Sequence, residues 1–382
     1  MKTYDVAVIG VGVFGAWTAL QLARRGKRVL LLEAYGPGHS RSSSGDESRI
    51  IRMGYGRDEI YTRWSQRSLA QWKELFAATR DEALFQQTGV LWLAGEDQTR
   101  LNETRATLKR CGVTFEDLDL AGLRGRFPQI GLDGIRSAIL EPQSGVLMAR
   151  RAVTATVAEA GRRGTTYVHA LVEQPKAKGP LRAIKTKSGE EISAGQFVFA
   201  CGAWLAKLFP EIVSPRLFVT RQEVFYFGLP AGDLCFAPPA LPTFLFQNDE
   251  SYGMPDIESR GLKIALDAHG VAVDPDTQSR VVSEESARKM REYVAKRFPA
   301  LRNAPIAETR VCQYENTSNG DFLIDRHPEM ENVWFAGGGS GHGFKHGPAL
   351  GAYVAGLILG ELQPEPRFSL ATKETTQQRA VF

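Results

Sequence analysis

Hydrophobic and polar positions at the start of the chain follow the pattern of a strand, a helix and a second strand. Residues 6–9 form a short apolar run that ends in a glycine-rich turn. Residues 16–26 carry apolar side chains at helical spacing and finish with two arginines and a glycine, which are typical of a helix C-terminus. A second apolar run at residues 29–32 ends at Glu33. This order predicts a βαβ unit.

The glycines of the first turn indicate the kind of ligand that this unit binds. Gly10, Gly12 and Gly15 have the GxGxxG spacing, which allows a tight turn, close approach of backbone N–H groups to a phosphate, and close packing of the following helix. Glu33 ends the second strand near the place where a carboxylate accepts ribose hydroxyls. The motif predicts a dinucleotide site and leaves FAD and NAD open. A glycine-rich turn without a ligand is the alternative.

Elements of two kinds follow the βαβ unit. Helical spacing of apolar side chains predicts helices at about residues 59–80, 98–111, 150–164 and 283–298, and one that begins at about Pro348. Short apolar and aromatic runs predict strands at residues 88–94, 138–142, 165–168, 196–200, 224–227, 243–246, 262–266 and 333–337. The strands at 196–200 and 333–337 end in glycine turns, so we expect them to meet the cofactor as well.

These elements predict an α/β protein with two domains. A chain of 382 residues exceeds what one hydrophobic core usually holds. Dinucleotide-type pieces occur at the start, near residues 145–210 and at the end, and β-rich pieces separate them. We expect a Rossmann-type cofactor domain of residues 1–86, 145–215 and 312–382, and a β-rich substrate domain with an antiparallel sheet of residues 87–144 and 216–311.

The composition is that of an ordinary globular protein. Hydrophobic residues make up 43% of the chain and charged residues 24%, and the net charge is only +4. No tract of five or more basic residues occurs, so we expect neither nucleic-acid nor membrane-surface binding. The apolar stretch at 349–360 is too short for a bilayer and predicts a buried helix. Four cysteines without paired spacing, and an N-terminus unlike a signal peptide, favour a cytoplasmic setting.

Motifs along most of the chain point to one family. They are residues 10–15 with Glu33, 45–52, 88–90, 141–146, 201–204, 252–255, 261–263, 312–314, 321–328 and, most specifically, the Gly-Ser-Gly-His-Gly-Phe-Lys run at 339–345. Together they resemble the sarcosine oxidase family of FAD-dependent amine oxidoreductases, which includes N-methyltryptophan oxidase and pipecolate oxidase, within the D-amino-acid-oxidase-like group. The resemblance implies FAD, so we expect the Rossmann-type domain to be an FAD-binding domain.

The resemblance also assigns residues to the cofactor. In this family the cysteine two residues before a tyrosine carries the flavin through a thioether at its 8α-methyl, and Cys312 with Tyr314 matches that pattern. The alternative is that Cys312 is a buried thiol that acts as a small apolar side chain. The other expected cofactor-binding residues are Gly10, Gly12, Val13, Phe14, Gly15, Glu33, Ala34, Arg41, Ser44, Gly202, Trp204, Gly339, Gly341, His342, Gly343, Phe344 and Lys345. We expect His342 to orient backbone near the flavin rather than to act as a base.

Basic residues are expected to bind the substrate and to assist the flavin. An arginine with a lysine can hold a carboxylate so that a C–H bond points at the flavin, and the resemblance gives this role to Arg52 and Lys345. It places Arg49 and Lys263 against the flavin ring, with Lys263 linked to oxygen activation, since a fixed cation lowers the cost of negative charge on O2. Ordinary surface cations, and for Lys263 a lysine on a strand edge, are the alternatives. Arg49 and Arg52 would lie on one side of their segment if it is helical.

Four further residues are relevant to the choice of substrate: two tyrosines that match the family's pattern and two positions that differ from it. Tyr252 and Tyr314 match substrate-side tyrosines, and we count Tyr314 among the catalytic residues, with ordinary core tyrosines as the alternative. Sarcosine-specific enzymes tend to have histidine at the positions of Ser44 and Asp267. If Asp267 faces the pocket, its negative charge would suit a cationic or hydroxylated group on the substrate. Sarcosine itself is therefore in question.

The sequence thus predicts an FAD-dependent oxidase of secondary or N-substituted α-amino acids that passes a hydride from the amine C–H to flavin N5 and yields an imine and hydrogen peroxide. The alternatives are a dehydrogenase with another electron acceptor, a flavin-binding subunit of a larger complex, and an NAD-dependent hydroxy-acid dehydrogenase, which the C-terminal glycine turn disfavours. We expect a monomer whose partners are a small amino-acid-type substrate and O2, with no metal. The segment after Leu362 is expected to lie extended on the surface.

Overall fold

The structure is a computed structural model in which residues 4–378 are described. Within these residues the α-helices are α1 Val13–Arg24, α2 Glu59–Thr79, α3 Thr99–Arg110, α4 Leu120–Arg126, α5 Ala149–Arg162, α6 Leu205–Leu208, α7 Glu284–Arg297 and α8 Gly347–Ile358. The strands are β1 Tyr4–Ile9, β2 Val29–Glu33, β3 Arg49–Ile51, β4 Phe85–Gln86, β5 Val90–Ala94, β6 Glu116–Leu118, β7 Ser137–Glu141, β8 Gly145–Leu147, β9 Thr166–His169, β10 Ala183–Lys185, β11 Glu191–Phe199, β12 Leu217–Phe227, β13 Thr243–Phe246, β14 Ser251–Met254, β15 Leu262–Leu266, β16 Ile306–Thr317, β17 Leu323–Arg326 and β18 Val333–Gly337.

The first sheet is parallel at its centre. Its order is β17-β18-β11-β1-β2-β9, and β10 pairs with β11 outside this path. Strand β1 runs parallel to both of its neighbours, β11 and β2. Parallel strands require crossover connections, and helices such as α1 provide them and cover the sheet. This explains why β2 is apolar up to its last residue and buried along its whole length.

Helices α1 and α8 pack closely against each other. Gly351 of α8 allows this contact, because a Cβ there would lie 2.6 Å from the backbone carbonyl carbon of Trp17. Trp17 meets Trp72 of α2 edge to face, with ring centroids 5.0 Å apart. Helix α8 is therefore buried, as its apolar pattern predicts. Within residues 4–378, no helix is both long enough and apolar enough to cross a membrane.

The second sheet has the order β16-β12-β15-β14-β13-β5-β7-β6. Its strands are antiparallel to their neighbours except where β13 meets β5. Aromatic side chains such as Phe244 and Phe246 form a buried cluster with Phe298, which follows α7. Strand β15 pairs with β12 on one side and β14 on the other. Lys263 therefore lies in the interior of the sheet, and the strand-edge alternative for this lysine is wrong.

A third, small sheet carries the arginine segment. Its order is β3-β8-β4, and β3 pairs antiparallel with β8. The segment is extended rather than helical, so the helical spacing considered for Arg49 and Arg52 does not apply. Arg49 is the first residue of β3, and Arg52 directly follows its last residue. The two arginines make different contacts, Arg49 with Asp46 and Arg52 with the rings of Tyr55 and Trp92.

The predicted fold class is confirmed, and the predicted elements lie close to the observed ones. The helix expected at 283–298 is α7, whose N-cap Ser283 accepts a hydrogen bond from Ser286 N at 3.1 Å. Strand β16 belongs to the second sheet, whereas β17 and β18 belong to the first. The chain therefore passes from one sheet to the other after residue 317. The domain limits stay a prediction.

Candidate active site

A cavity of about 440 Å³ lies where the carboxyl ends of the parallel strands meet the second sheet. This is the side of an open α/β sheet on which ligands bind. We call one part of its wall the glycine-lined end, defined by Gly10, Gly12, Glu33, Gly202, Glu315 and Gly339. We call another part the charged end, defined by Arg52, Arg100, Glu250, Tyr252, Asp267, Tyr314 and Lys345.

Two glycines make the first turn possible. Gly10 has a φ of +98°, and a Cβ there would lie 2.4 Å from the carbonyl oxygen of Ala200. A Cβ on Gly15 would lie 1.9 Å from the carbonyl oxygen of Gly10. Neither position can accept a side chain, so β1, α1 and the end of β11 meet at backbone contact. Val13 N, at the start of α1, donates to Ser44 Oγ at 3.1 Å, which places Ser44 at the helix N-terminus.

Glu33 is a buried carboxyl at the end of β2. It accepts hydrogen bonds from Val11 N at 2.6 Å, Ala34 N at 2.8 Å and Tyr35 N at 3.1 Å. Burial raises the pKa of Glu33, and these backbone donors oppose part of the rise. They also fix the carboxyl at the strand end, where it can accept ribose hydroxyls.

Glu315 is a second buried carboxyl at the glycine-lined end. Its Oε1 accepts from Gly339 N at 3.3 Å, whereas its Oε2 is buried without a hydrogen-bond partner among residues 4–378. Burial raises the pKa of Glu315 to about 7, although backbone N–H groups of Gly339 and Gly338 oppose the rise. A ligand hydroxyl would satisfy Oε2. With the glycine turn and Glu33, this acceptor fits a dinucleotide such as FAD, which carries ribose and ribityl hydroxyls.

A buried ion-pair network stands behind the wall of the cavity. Lys263 is 2% exposed, and its Nζ donates to Asp46 Oδ2 at 2.6 Å, Ser48 O at 2.8 Å and Ser48 Oγ at 3.1 Å. Arg49 Nη1 donates to the same Asp46 oxygen at 2.5 Å. Burial alone would raise the pKa of Asp46, but the charges of Lys263 and Arg49 hold it well below its usual range. Burial lowers the pKa of Lys263 to about 8, against the attraction of Asp46.

Arg49 connects this network to Cys312. Its Nη2 lies 3.5 Å from Cys312 Sγ, and both residues line the cavity. Cys312 is only 8% exposed and reaches the wall from β16 of the second sheet. All four cysteines are free thiols. The network thus places a thiol beside a guanidinium that an ion pair holds in position.

Arg52 lies at the charged end between aromatic rings. It is 3% exposed, and its guanidinium carbon lies 4.3 Å from the ring centroid of Tyr55 and 4.8 Å from that of Trp92. The buried carboxyl of Glu141 accepts from the two backbone N–H groups that follow Arg52, at 2.7 and 2.9 Å, and from Trp92 Nε1 at 2.7 Å. Glu141 therefore holds both the turn after Arg52 and one of the rings that flank it.

Lys345 reaches the same region from the glycine turn after β18. Its Nζ donates to Tyr55 Oη at 2.8 Å and to the carbonyl oxygen of His342 at 2.9 Å. Burial lowers the pKa of Lys345 well below its ordinary value, and the charge of Arg52 lowers it further. A carboxylate between these two cations would relieve their repulsion and favour the protonated form of Lys345. Burial, followed by the charge of Lys345, lowers the pKa of His342 to about 3, so this histidine is neutral.

Tyr252, Tyr314 and Asp267 complete the charged end. Tyr314 Oη donates to Asp267 Oδ1 at 3.0 Å. Burial raises the pKa of both tyrosines above their ordinary value, so both hydroxyls remain neutral. Asp267 lines the cavity, as the interpretation of its charge as a determinant of the substrate requires. A carboxylate in this position can accept a hydrogen bond from the N–H group of an amine.

Most of the residues predicted for the site lie at the cavity wall. They are Gly10, Gly12, Val13, Phe14, Glu33, Ala34, Ser44, Arg49, Arg52, Gly202, Trp204, Tyr252, Asp267, Cys312, Tyr314, Gly339, Gly341, His342, Gly343, Phe344 and Lys345. Gly15, Arg41 and Lys263 do not line it. Gly15 packs under the first turn, Lys263 lies behind the wall, and Arg41 donates to the carbonyl oxygen of Asp276 at 3.0 Å. The roles of these residues stay predictions.

The residues in or near the site to which sequence reasoning assigns no role include Tyr55, Arg100, Glu141, Glu250 and Glu315. Arg100 lies on a helix with several other arginines and lysines, so nothing in the sequence distinguishes it from a surface charge. Glu315 directly follows Tyr314 of the cysteine motif, and this adjacency is the one signal that could have found it. Glu141 and Tyr55 support other side chains, a role that motifs do not reveal.

Comparison with known proteins supports one family. The family described as "DAO: FAD dependent oxidoreductase" matches residues 5–357. The chain is similar to a monomeric sarcosine oxidase from Streptomyces avermitilis, with 32% identity over 366 residues that cover 94% of each protein. It is 32% identical over 377 residues to peroxisomal sarcosine oxidase from Homo sapiens, covering 96% of this chain and 94% of that protein. The solved structure of L-proline dehydrogenase from P. horikoshii matches with a TM-score of 0.85 at 23% identity, covers 97% of each chain and shows the same fold.

Proposed function

We infer that this chain, which belongs to the DAO family of FAD-dependent oxidoreductases, oxidises secondary or N-substituted α-amino acids with O2. The observation that carries the proposal is the pair of buried cations, Arg52 and Lys345, at one end of a cavity whose other end fits FAD. A guanidinium and an ammonium at one place can both donate charge-assisted hydrogen bonds to an amino-acid carboxylate. The sarcosine oxidases among the relatives support the class of substrate, because sarcosine is N-methylglycine.

Arg52 and Lys345 would bind the substrate carboxylate. The guanidinium of Arg52 is fixed between Tyr55 and Trp92, so its donors can meet both oxygens of a carboxylate at once. Lys345, held by the hydroxyl of Tyr55, would add a second charge. Rigid positioning matters because hydride transfer requires the C–H carbon to lie about 3–3.5 Å from its acceptor.

The amine would be held at the other side of the charged end. Tyr314 and Asp267 form a hydrogen-bonded pair there, and Asp267 can accept the amine N–H. The amine must be neutral before its C–H bond can act as a hydride donor. The positive charges of Arg52 and Lys345 favour the neutral amine, whereas the negative charge of Asp267 favours the protonated amine.

FAD, when bound, would supply hydride acceptance at N5 and transfer of two electrons to O2. The substrate would lose a hydride and the N–H proton, which gives an imine that water hydrolyses, and O2 would become hydrogen peroxide. Arg49 and Lys263 would place positive charge where O2 acquires negative charge. Asp46 keeps both cations in place through its ion pairs.

We also propose that Cys312 Sγ bonds covalently to the 8α-methyl carbon of the flavin. Its position at the wall beside Arg49 supports this linkage. One S–H and one C–H bond would be replaced by a C–S bond, and O2 would accept the two electrons and two protons. Mass spectrometry of the denatured protein should find FAD on the peptide of Cys312. Cys312→Ser should release the flavin on denaturation, whereas Cys235→Ser, away from the cavity, should retain it.

An anaerobic titration tests the function. The purified flavoprotein is mixed without O2 with N-methyl, cyclic and N-carboxyalkyl amino acids while the visible absorbance of the flavin is recorded, and air is then admitted. We expect one class to bleach the flavin and air to restore the colour rapidly. Slow recovery would instead indicate a dehydrogenase with another acceptor. If dithionite bleaches the flavin and none of the amines does, the proposed substrate class is wrong.

The same proposal includes a monomer that acts on small molecules in the cytoplasm. Several sarcosine oxidases among the relatives are described as monomeric, and the four free cysteines suit a reducing compartment. Light scattering of the purified protein measures its oligomeric state directly.

A further inference from the structure

We propose that Arg100 binds a second carboxylate of the substrate, so that the preferred substrates are N-substituted amino acids with two carboxylates. Arg100 lines the charged end together with Arg52 and Lys345. The inference rests on the proposed function, which uses those two cations for the α-carboxylate. Arg100 is a third cation at the charged end, and no step of that function uses it.

The start of α3 holds Arg100 beside the segment that carries Arg52. Thr104 Oγ1 donates to the carbonyl oxygen of Arg100 at 2.9 Å and accepts from Gly56 N at 3.1 Å. A Cβ on Gly54 would lie 2.9 Å from Thr104 Cγ2, so the turn after Arg52 packs tightly on this helix. Thr104 thus links the start of α3 at Arg100 to Gly56, which lies in the turn after Arg52, so the two backbone segments pack against each other.

Arg100 lines the cavity, whereas Arg105 and Arg110 of the same helix do not. A planar guanidinium at a cavity wall can donate two parallel hydrogen bonds to a carboxylate.

The charges of this end suit a substrate with an additional carboxylate. The charged end contains three cations, Arg52, Arg100 and Lys345, and two acids, Glu250 and Asp267, whereas the other cations of the cavity wall, Arg49 and Lys207, pair with Asp46 and Asp276. Whether the amine is protonated or neutral, a dicarboxylate carries one negative charge more than sarcosine, and Arg100 supplies one positive charge more than Arg52 and Lys345. Burial and the charge of Arg52 lower the pKa of Arg100 to about 9, and the charge of Asp267 opposes the shift, so Arg100 interacts electrostatically with both residues.

The order of charges favours an amine flanked by carboxylates. Asp267 acts electrostatically on both Lys345 and Arg100, and it can accept the amine N–H. The α-carboxylate would lie on the side of Lys345, and the second carboxylate on the side of Arg100. The second carboxylate can be part of the nitrogen substituent or of the side chain, and both sources present the same chemistry to a guanidinium.

Binding of compounds that cannot be oxidised tests the inference separately from catalysis. Diglycolate has two carboxylates and an ether oxygen in place of the amine, and methoxyacetate has one carboxylate and the same ether. Their dissociation constants would be measured from the change that each causes in the visible absorbance of the flavin in the holoenzyme. The variants are Arg100→Gln, Arg100→Lys and, as a control on the same helix, Arg105→Gln.

We expect the native protein to bind diglycolate about tenfold more tightly than methoxyacetate, as a charged hydrogen bond allows. Arg100→Gln should remove this difference in affinity without changing the dissociation constant of methoxyacetate. Arg100→Lys should retain part of the difference, and Arg105→Gln should retain all of it. Equal affinities in the native protein, or an equal loss for both ligands in Arg100→Gln, would overturn the inference.

Oxidation assays with iminodiacetate, N-methylaspartate and sarcosine identify the source of the second carboxylate. Preference for iminodiacetate places it on the nitrogen substituent, and preference for N-methylaspartate places it on the side chain. Either preference supports the inference, and preference for sarcosine contradicts it.

The two proposals can fail separately. If no amine is oxidised but the binding of diglycolate still depends on Arg100, the proposed function fails and the anion site remains. If amines are oxidised without any preference for dicarboxylates, the proposed function stands and the role of Arg100 as a second carboxylate site fails.

Discussion

The two ends of the cavity are built by different means. The glycine-lined end consists largely of backbone at the ends of buried parallel strands, where Gly10 and Gly15 exclude side chains. The charged end consists of side chains from separate segments, such as Arg52 after β3, Asp267 after β15 and Lys345 after β18. The first kind of site depends on shape and tolerates little change. The second kind depends on charge, so single substitutions can retune it without dismantling the fold.

Gly15→Val should break the glycine-lined end outright. A Cβ at this position would lie 1.9 Å from the carbonyl oxygen of Gly10, and the larger valine side chain cannot be accommodated. We expect no flavin in the purified protein, measured as the ratio of visible to ultraviolet absorbance. Gly161→Ala is the control, because a Cβ there meets nothing within 4 Å. A normal flavin content in Gly15→Val would contradict the role of this turn.

Arg52→Gln should damage the charged end while leaving the other end intact. The variant loses a charge-assisted contact to the substrate carboxylate, and we expect kcat/KM to fall about 1000-fold. Flavin content should stay normal, and Arg52→Lys should recover part of the activity. A fall smaller than about tenfold would show that this arginine does not bind the carboxylate.

The pH dependence of stability should reveal Glu315 at the glycine-lined end. Its pKa is raised from 4.5 to about 7 by burial, so the folded protein keeps a proton that the unfolded chain releases between these values. The contribution of Glu315 to the free energy of unfolding of flavin-free protein should therefore be largest below about pH 4.5. This contribution should fall by about 3 kcal/mol as the pH rises to 7. Urea unfolding at several pH values measures the slope.

Glu315→Gln should remove that slope, because glutamine does not titrate. Glu285→Gln, at an exposed position on α7, should leave it unchanged. The same slope in native protein and Glu315→Gln would assign the titration to another group.

Lys263→Met should separate the two half-reactions. The variant removes a buried cation near the flavin while retaining Arg52 and Lys345, so reduction by the substrate should change little and reoxidation by O2 should slow about 100-fold. In the native protein, the O2 step should decline as the pH rises above about 8, where Lys263 loses its proton. Stopped-flow absorbance follows each step. A pH decline that persists in the variant would exclude Lys263 as its source.

The fold and the glycine-lined end could be predicted from the sequence to a large extent, because both depend on local patterns. Apolar runs, helical spacing and the glycines of the first turn are visible within short windows, and the observed strands and helices follow them. The arginine segment shows the limit of such reasoning. Its spacing is compatible with a helix, whereas pairing with β8, about 100 residues later, makes it a strand.

The charged end could be predicted only where a motif marks it. Lys345 belongs to a specific motif, and the resemblance assigns it a role. Arg100 occurs among surface charges, and its place at the cavity wall results from the packing of α3 on a distant turn. Lys263, unlike Arg100, is marked in the sequence, because a lysine within an apolar strand indicates a partner in the interior. Only the structure identifies that partner as Asp46.

The order of strands in the first sheet constrains how the protein can be made on a ribosome. Strand β1 precedes its neighbour β11 by about 190 residues along the chain, and β17 and β18 come after residue 320. Helix α8, which packs on α1, is later still. The nascent βαβ unit therefore waits for these later strands to be synthesised before its sheet can close, with apolar surface open to chaperones. Flavin capture is expected to follow the synthesis of α8, and a chain that stops before α8 should be degraded rather than loaded.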